Sequence, residues 1–545
     1  MNKKDDEFKV DCKSSTYNFV EEVKRYAFPT ITKHGMQLNR GKSEPFVVEK
    51  ALLRNDPQLE KKVVDNLFPT TLSKKSALVD ISLPYTGHYY CSKGGIYFDA
   101  DIGVGQKLID DQHPEIKKTL NLLIEHNALI RRESITNDVM ITDYDTGIKS
   151  PQDLAELFVS QANKAFSQCA PYKAYFSSSG ALAVEAAMKI ACRDCHNNFI
   201  EKYGFQIEKN VMNDLNIALD TTLLHPEDKD PLYVDYPFFF IAMKGAFHGR
   251  TFGALSLTHF RPVQKRGFPS LERVKHITFN GDVNELLDII DVRSVNEIYD
   301  CGDSISNIIQ RGRIPKELIA GVVIEPIQGE AGYIIADKLW IESIGKICKD
   351  LKINLILDEV QSFARTGKVF ASEYYNICPD IITVSKASVL GITMASSRFT
   401  MSLPKGWHSC TWGGGKVLDN NLSWTILNTY LHYKDPIFNG HTYIENQKIK
   451  EEYIRAMFDS LQKRHPKILS GFSGLGTMWG FTVSYRDEIC VTALENGLKL
   501  LSCGITKDES AIRALFLSDV LTKEINSFGR LLDNVFTIIE KKYNI

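Results

Sequence analysis

The chain has 545 residues and a net charge of −2; 43% of its residues are hydrophobic and 24% are charged. This composition is typical of a folded globular protein, and the near-neutral charge provides no basic face for nucleic acid. No apolar run approaches the ~18–20 residues that cross a membrane, so we expect neither nucleic acid nor a membrane as a partner.

The N-terminus and the cysteines predict the compartment. The first residues, MNKKDDEFKVDCKSS, are polar and lack the apolar segment of a secretory signal, so we expect a cytoplasmic protein. Eleven cysteines are scattered along the chain and are expected to be reduced. Cys192 and Cys195 form a CxxC pair, which could bind a metal or act in redox chemistry. Because no second CxxC follows, a shared helix face is the simpler interpretation.

The first recognisable motif comes late in the chain. Residues 1 to about 90 contain no motif, and GGIYFDADIGVG at 94–105 predicts a short β-hairpin. From about residue 115, helical patterns alternate with short apolar runs, which lie at 238–243, 321–326, 353–359 and 381–386. This alternation predicts an α/β fold with a mostly parallel sheet covered by helices.

Two segments look inserted into this pattern, a polar and irregular one at 196–236 and a weakly patterned one at 281–315. After about residue 430, amphipathic helices and a glycine-punctuated strand at 474–483 predict a smaller C-terminal α+β domain. We therefore expect an N-terminal segment with the hairpin at 1–115, a large α/β domain at 116–405 and a small domain at 406–545.

Two charged residues follow the predicted strands, where ligands of parallel sheets gather. Lys386 follows one strand and Asp358 ends another. A desolvated lysine amine is nucleophilic toward a carbonyl, and a buried carboxylate needs a cationic partner. Together they meet the requirements of pyridoxal 5′-phosphate (PLP), whose aldehyde bonds to a lysine and whose pyridinium nitrogen pairs with a carboxylate. The alternatives are a lysine that extends to solvent and an aspartate that caps a helix or forms a salt bridge.

Two further stretches suit the same cofactor. FSSSGALAVEAAMKIA at 176–191 predicts a helix whose small first residues and free N–H groups suit a phosphate, although serine capping alone would explain it. AFHGR at 246–250 offers Phe247 or His248 to stack on a flat ring. Arg250 suits a carboxylate, with a solvated loop arginine as the alternative.

Together, these motifs resemble class III (ω-type) aminotransferases, which are fold-type-I PLP enzymes. The resemblance covers about residues 94–525 and rests on SSSGALAVEAAMKIA, GAFHGRTFGALSLT, VVIEPIQGEAGY, DEVQSFARTGKVFASEYYNICPDIITVSKA and TWGGG. Within the family these stretches are most similar to lysine 6-aminotransferase, with ornithine and 4-aminobutyrate aminotransferases as relatives. The resemblance implies a PLP-binding large domain, a smaller C-terminal domain and transaminase activity.

The resemblance also implies roles for matching residues. Lys386 would bond to PLP and then act as general base, and Asp358 would keep the pyridinium nitrogen protonated. The other matches on the cofactor side are Ser179, Gly180 and Ala181 at the phosphate, Phe247 and His248 at the ring, Gln361 at the phenolic oxygen, and Thr411 at the phosphate of the other subunit. The match at Thr411 implies a homodimer with shared active sites.

On the substrate side, the resemblance implies an amino donor and a 2-oxo acid that use one pocket in turn. Glu330 resembles a glutamate that pairs with a carboxylate-binding arginine and releases it in the second half-reaction. Arg250 matches an arginine that holds a substrate carboxylate, and Arg513 lies where the family has another. Val104 falls in the predicted hairpin, which would line the substrate entrance.

Several stretches depart from the family pattern. GQKLIDDQHP at 105–114 is bulkier and more charged than usual, and QSFARTG at 361–367 is one residue shorter. GGG at 413–415 lacks the usual asparagine, and no Pro-Pro follows Arg513. Glu359, next to Asp358 on a strand, should point to the opposite face and form a structural salt bridge or a hydrogen bond to the loop.

We therefore expect transfer of an amino group from an ω-amino donor to 2-oxoglutarate. The donor would be lysine-like, with ornithine and 4-aminobutyrate as alternatives. Another PLP reaction on the same fold, an aminomutase or a racemase, and a non-catalytic relative are the competing hypotheses.

Overall fold

The computed structural model describes most of the chain from residue 87 onward. The described residues are 28–32, 35–39, 87–92, 95–129, 146–169, 171–220, 231–401, 403, 408, 416–504 and 510–545. Thr411, for which the resemblance implies a phosphate contact in a homodimer, lies outside them, as does the GGG stretch at 413–415. No helix in the described ranges is both long and apolar enough to cross a membrane.

The strands are β1 Phe28–Thr32, β2 Gly35–Asn39, β3 Tyr89–Ser92, β4 Gly95–Asp99, β5 Tyr172–Ser177, β6 Phe239–Met243, β7 Val274–Ile277, β8 Ile290–Asp291, β9 Ile314–Pro315, β10 Ile319–Ile324, β11 Ile327–Gln328, β12 Ile334–Ile335, β13 Asn354–Asp358, β14 Ile381–Val384, β15 Gly391–Ser396, β16 Leu469–Leu475, β17 Met478–Val483, β18 Leu498–Lys499, β19 Leu501–Cys503 and β20 Ala511–Leu515.

The α-helices are α1 Ile102–Gly105, α2 Pro114–Glu125, α3 Pro151–Ala165, α4 Gly180–Asp214, α5 Phe252–Leu257, α6 Asn284–Ile289, α7 Val295–Asp300, α8 Ile305–Gln310, α9 Lys338–Leu351, α10 Val417–His432, α11 Tyr443–Arg464, α12 Arg486–Glu495 and α13 Thr522–Tyr543.

The large sheet has the strand order β5-β15-β14-β13-β10-β6-β7. Only β15 runs antiparallel to its neighbours, so six strands point the same way. Both faces are covered, because Ile381 packs into one hydrophobic cluster with α4 and α9, and the next residue, Ile382, packs into another with α3 and α10. The mostly parallel sheet predicted from the sequence is therefore confirmed.

Local sequence explains why the covering helices form. In α9, Asp337 caps the first turn by accepting the Trp340 N–H at 3.0 Å. The helix then buries Trp340, Ile341, Ile344 and Cys348, a spacing that places one apolar face on the sheet. It ends where Lys352 adopts a left-handed conformation with φ 58°.

The C-terminal region contains an antiparallel sheet with the order β16-β17-β20-β19. It packs with α11 and α13 in a separate cluster that also includes Tyr89 and Phe98 of the N-terminal hairpin. β18 pairs with β4 in parallel, which attaches the hairpin to the C-terminal region. The small α+β domain is present as expected, whereas the boundaries at residues 115 and 405 stay predictions.

The hairpin prediction at 94–105 was wrong in position. The two strands are β3 and β4, and the chain then forms the single turn α1, in which Ile102, Gly103 and Val104 all have positive φ. Val104 therefore lies beyond the hairpin, with a side chain that is 40% exposed. The turn forms because Asp101 accepts the Val104 N–H, and the alternation of residues gave no sign of this cap.

Two other expectations need correction. The segment 196–214 is not irregular, because α4 continues through it with a break at Gly204, where φ is 72°. The segment 281–315 contains three short helices and the parallel pair β8–β9, with apolar residues buried in the main core. Cys169 and Cys378 form a disulfide across 209 residues, so they are not reduced thiols; their Cα atoms lie 5.8 Å apart, close enough for a bond.

Candidate active site

A cavity of about 980 Å³ opens at the carboxyl ends of the parallel strands. Its wall is built from the ends of β5, β6, β10, β13 and β14 together with residues of 106–112 and two side chains of α10. Because six strands run in one direction, their ends bring polar residues from distant parts of the chain to one edge of the sheet. The predicted residues in this wall are Ser179, Gly180, Ala181, Phe247, His248, Arg250, Glu330, Asp358, Gln361 and Lys386.

Asp358 is the last residue of β13 and is held on several sides. His248 Nδ1 donates to one carboxylate oxygen at 2.8 Å, and the Val360 N–H and the Thr383 hydroxyl donate to the other at 3.0 and 3.2 Å. Burial disfavours a charged His248 ring, but the bond to Asp358 and its charge outweigh burial and raise the pKa of His248. His248 is therefore bonded to Asp358 and also lines the cavity, and its stacking on a ring stays a prediction.

Lys386 follows β14 in a strained turn. Its φ is 53° and that of Val389 is 65°, values that side chains of this size seldom adopt, and both residues line the cavity. Burial lowers the pKa of the Lys386 amine to about 8; the charge of Arg513 acts in the same direction, and that of Glu330 opposes it. The amine is thus partly deprotonated near neutral pH, as a nucleophile requires.

Glu359 points away from the cavity, as the alternation predicts. Its carboxylate accepts the hydroxyls of Ser362 and Ser372, each at 2.6 Å, and the N–H groups of Ala371 and Ser372, each at 2.8 Å. Burial still raises the pKa of Glu359 above its usual range, against these bonds. The two adjacent acids therefore differ in their surroundings, since only Asp358 faces the cavity.

The N-terminus of α4 forms a close-fitting cradle. Ser179 caps the helix by accepting the Leu182 N–H, and Gly180 and Ala181 follow as the first helical residues, whose N–H groups have no intrahelical partner. A Cβ on Gly180 would lie 2.7 Å from a methyl of Val360. Ser179 therefore caps the helix and also lines the cavity, so its contact with a phosphate stays a prediction.

Phe247 and Arg250 follow β6 and line the same cavity as Lys386. Phe247 is half-buried, and the Arg250 guanidinium, which is exposed, lies 5.7 Å from the centre of its ring. Glu185 on α4 fixes this loop by accepting the Thr251 hydroxyl at 2.6 Å and the N–H groups of Gly253 and Ala254. The aromatic ring is thus presented on a rigid support.

Glu330, which lines the cavity, forms an ion pair with the buried Arg513. Arg513, on β20, donates from Nη1 to Glu330 Oε1 at 2.7 Å, and its Nε is buried with no partner in the described residues. Burial disfavours a charged Arg513, but the charge of Glu330 outweighs burial and raises the pKa of Arg513 above its ordinary value. The sequence had proposed roles for both residues separately, and the fold places them in contact.

Reasoning from sequence missed several residues of the wall. Glu325, the first residue after β10, is buried beside His248 and Asp358, although its position at a strand end was a usable signal. Arg365 is 0% exposed and donates from Nη2 to the carbonyls of Gly105 and Lys107, which connects the short 361–367 loop to the 106–112 wall. No pattern predicted that contact.

The residues present fit PLP. Gln361 Nε2 and His248 Nε2 are buried polar atoms without a hydrogen-bond partner in the described ranges, and both residues line the cavity. Such groups cost free energy unless a bound polar molecule satisfies them. Asp358 supplies the carboxylate that a pyridinium nitrogen needs, and the Gly180 cradle supplies donors for a phosphate.

Comparisons with known proteins also indicate a PLP-dependent enzyme. The model of the family "Aminotransferase class-III" matches residues 92–527. Acetylornithine aminotransferase of Prochlorococcus marinus is 26% identical over 416 residues, which are 74% of this chain and 84% of that enzyme. Acetylornithine aminotransferase of Caldanaerobacter subterraneus is 30% identical over 306 residues, 55% of this chain and 67% of that enzyme.

Solved structures share the fold. Lysine aminotransferase of M. tuberculosis, in its internal aldimine form, superposes with a TM-score of 0.66 at 20% identity and covers 89% of this chain and all of that one. Ornithine aminotransferase of Toxoplasma gondii gives 0.62 at 16% identity, covering 90% and 97%. Given the match along most of its length, this chain belongs to the class III aminotransferases, a family of PLP-dependent enzymes.

Proposed function

We propose that this aminotransferase moves an amino group from an ω-amino donor, lysine-like or related to ornithine or 4-aminobutyrate, to 2-oxoglutarate. The observation that carries the proposal is the Glu330–Arg513 pair in the same cavity region as Lys386. While Glu330 neutralises Arg513, the site suits an amino donor whose reacting end has no carboxylate. When Glu330 releases Arg513, the arginine can bind the α-carboxylate of the oxo acid.

Each residue on the cofactor side has one task in this proposal. When bound, PLP supplies an electron sink for the carbon that loses a proton. Lys386 would hold the cofactor and carry the transferred proton on its amine, and Asp358 would favour a positive charge on the ring nitrogen. Phe247 would support the ring, and Gln361 would donate a hydrogen bond to it.

The substrate side alternates between two states. While Glu330 holds Arg513, the apolar stem and far carboxylate of an amino donor occupy the cavity, with Arg250 at its exposed end. When Glu330 turns away, Arg513 presents two parallel N–H donors to a carboxylate. A second identical subunit that contributes Thr411 remains part of this proposal. The cytoplasmic location predicted from the sequence remains part of it as well.

The test begins with cofactor uptake. Protein incubated with PLP and passed through gel filtration should retain visible absorbance and transfer amino groups from one of a panel of donors to 2-oxoglutarate. Lys386→Ala should lose the retained absorbance and the turnover, while Lys349→Ala, an exposed lysine on α9, should keep both.

Two results would contradict the proposal. One is a wild-type protein that retains no PLP and transfers no amino group. The other is turnover that needs no 2-oxo acid, which would favour an aminomutase or a racemase. A donor panel in which α-amino acids without an ω-amine react fastest would retain the aminotransferase but remove the proposed donor class.

A further inference from the structure

Glu325 is a buried carboxyl in the cavity wall, directly after β10, with 5% of its surface exposed. Each of its two oxygens has a different backbone partner. The Phe247 N–H donates to Oε2 at 2.9 Å, and the Gly329 N–H donates to Oε1 at 3.1 Å. One side chain therefore fixes two segments that are 82 residues apart in sequence (329 − 247).

These two segments carry different parts of the site. Phe247 lines the same cavity as Lys386, and Gly329 immediately precedes Glu330, which pairs with Arg513. The turn at Gly329 has no spare room, because a Cβ there would lie 1.9 Å from Gln361 Oε1 and 3.6 Å from Glu325 Oε1. A shift of Glu325 would consequently move the Glu330 turn and the Phe247 wall together.

We propose that Glu325 is a positioning residue that couples the wall for the cofactor ring to the Glu330–Arg513 pair. The inference rests on the proposed function, since the pair is where the oxo acid would bind. It assigns Glu325 no contact with the reacting atoms. Its task is to keep two backbone segments at a fixed separation, which only an acceptor with two oxygens can do.

Protonation would loosen this coupling. Burial raises the pKa of Glu325 to about 7, His248 opposes the shift, and Asp358 adds to it. The charged groups that face Glu325 are His248 after β6, Asp358 after β13 and Lys386 after β14. A protonated carboxyl has one oxygen that carries a hydrogen and accepts poorly, so one of the two N–H contacts weakens as the pH falls through about 7.

The experiment compares Glu325→Gln with Glu156→Gln, an exposed glutamate on α3, both as holoenzymes. The amide keeps one acceptor and turns an NH₂ group toward the second N–H. We expect the dissociation constant for 2-oxoglutarate, measured by calorimetry, to rise about tenfold and the visible spectrum of bound PLP to shift, with PLP retained. Glu156→Gln should match the wild type in both.

A second measurement does not depend on the variant. In the wild type, the affinity for 2-oxoglutarate should fall as the pH drops from 8 to 6, and this dependence should flatten in Glu325→Gln. Unchanged affinity and spectrum in the variant would overturn the inference, as would a wild-type affinity that does not change with pH. Failure of the proposed function would show differently, as absence of turnover with every donor while binding can still be measured.

Discussion

Asp358 and Glu330 both bring a carboxylate to the cavity, but their surroundings differ. The Asp358 side chain is 3% exposed and accepts hydrogen bonds from His248, Val360 and Thr383. The Glu330 side chain is 19% exposed, and among the described residues it bonds to Arg513 alone. Moving Asp358 would break three contacts in a buried place, whereas moving Glu330 breaks one contact beside open space.

The difference explains how one site could serve two substrates in turn. In the proposed function, the charge of Asp358 must stay constant through the reaction. Its position at the end of β13 and its neighbours on β14 and after β6 hold it in place. In the proposed function, the charge of Arg513 must be available for one substrate and neutralised for the other. This charge is controlled by a single ion pair with Glu330. Three predictions test whether these two carboxylates act in the two ways proposed.

The largest effect is expected for Asp358→Asn. Removing one member of a buried charge pair costs roughly 3–5 kcal/mol, so kcat should fall about 150- to 5,000-fold while PLP is still retained. Steady-state kinetics with retained absorbance as the check on cofactor binding would measure this. The matched control is Glu359→Gln, which should lower the unfolding temperature and leave kcat within a few-fold, because its bonds lie within the loop.

A smaller and selective effect is expected for Glu330→Gln. Arg513 would keep its full charge throughout, so the half-reaction with the amino donor should slow by about tenfold, and the half-reaction with glutamate or 2-oxoglutarate should change little. Single-turnover measurements of each half-reaction would show the asymmetry. Equal slowing of the two half-reactions would mean that Glu330 is held in place as firmly as Asp358. The proposed contrast between the two carboxylates would then be wrong.

The smallest effect concerns Lys386 and pH. Its pKa of about 8 means that the neutral amine, the form that attacks a carbonyl, is lost as the pH falls, so PLP uptake by the cofactor-free protein should slow about tenfold per unit below pH 8. Because the charge of Glu330 raises this pKa, Glu330→Gln should move the midpoint to lower pH. Stopped-flow absorbance would follow uptake, and a midpoint that moves upward would contradict the assigned sign.

The sequence was most informative where chemistry coincides with a strand end. Lys386 and Asp358 each close an apolar run, and a parallel sheet brings such ends to one edge, so their proximity could be predicted without a structure. The same rule applied to Glu325, which follows Ile324 directly, but its two backbone partners could not be foreseen. They depend on how the loops after β6 and β10 fold back.

Three features could not be predicted from the pattern of the sequence, two of them local and one long-range. Val104 was placed in a hairpin because its neighbours alternate, whereas an Asp101 cap turns the chain into a helical turn. The bond between Cys169 and Cys378 joins residues 209 apart, and no local pattern marks it. The helix through 196–214 was obscured by its polar residues and by Gly204, although its buried residues include Phe199.

Arg365 has a consequence for redesign of the pocket. Its guanidinium is fully buried, burial lowers its pKa to about 10, and its hydrogen bonds reach the carbonyls of Gly105 and Lys107 across some 260 residues of chain. The short 361–367 loop and the bulky 105–114 stretch, two of the departures from the family pattern, are therefore joined through one side chain. Replacing the 361–367 loop without the 105–114 stretch would leave the buried Gly105 carbonyl and the half-buried Lys107 carbonyl without this partner, so a redesign of the pocket must change both together.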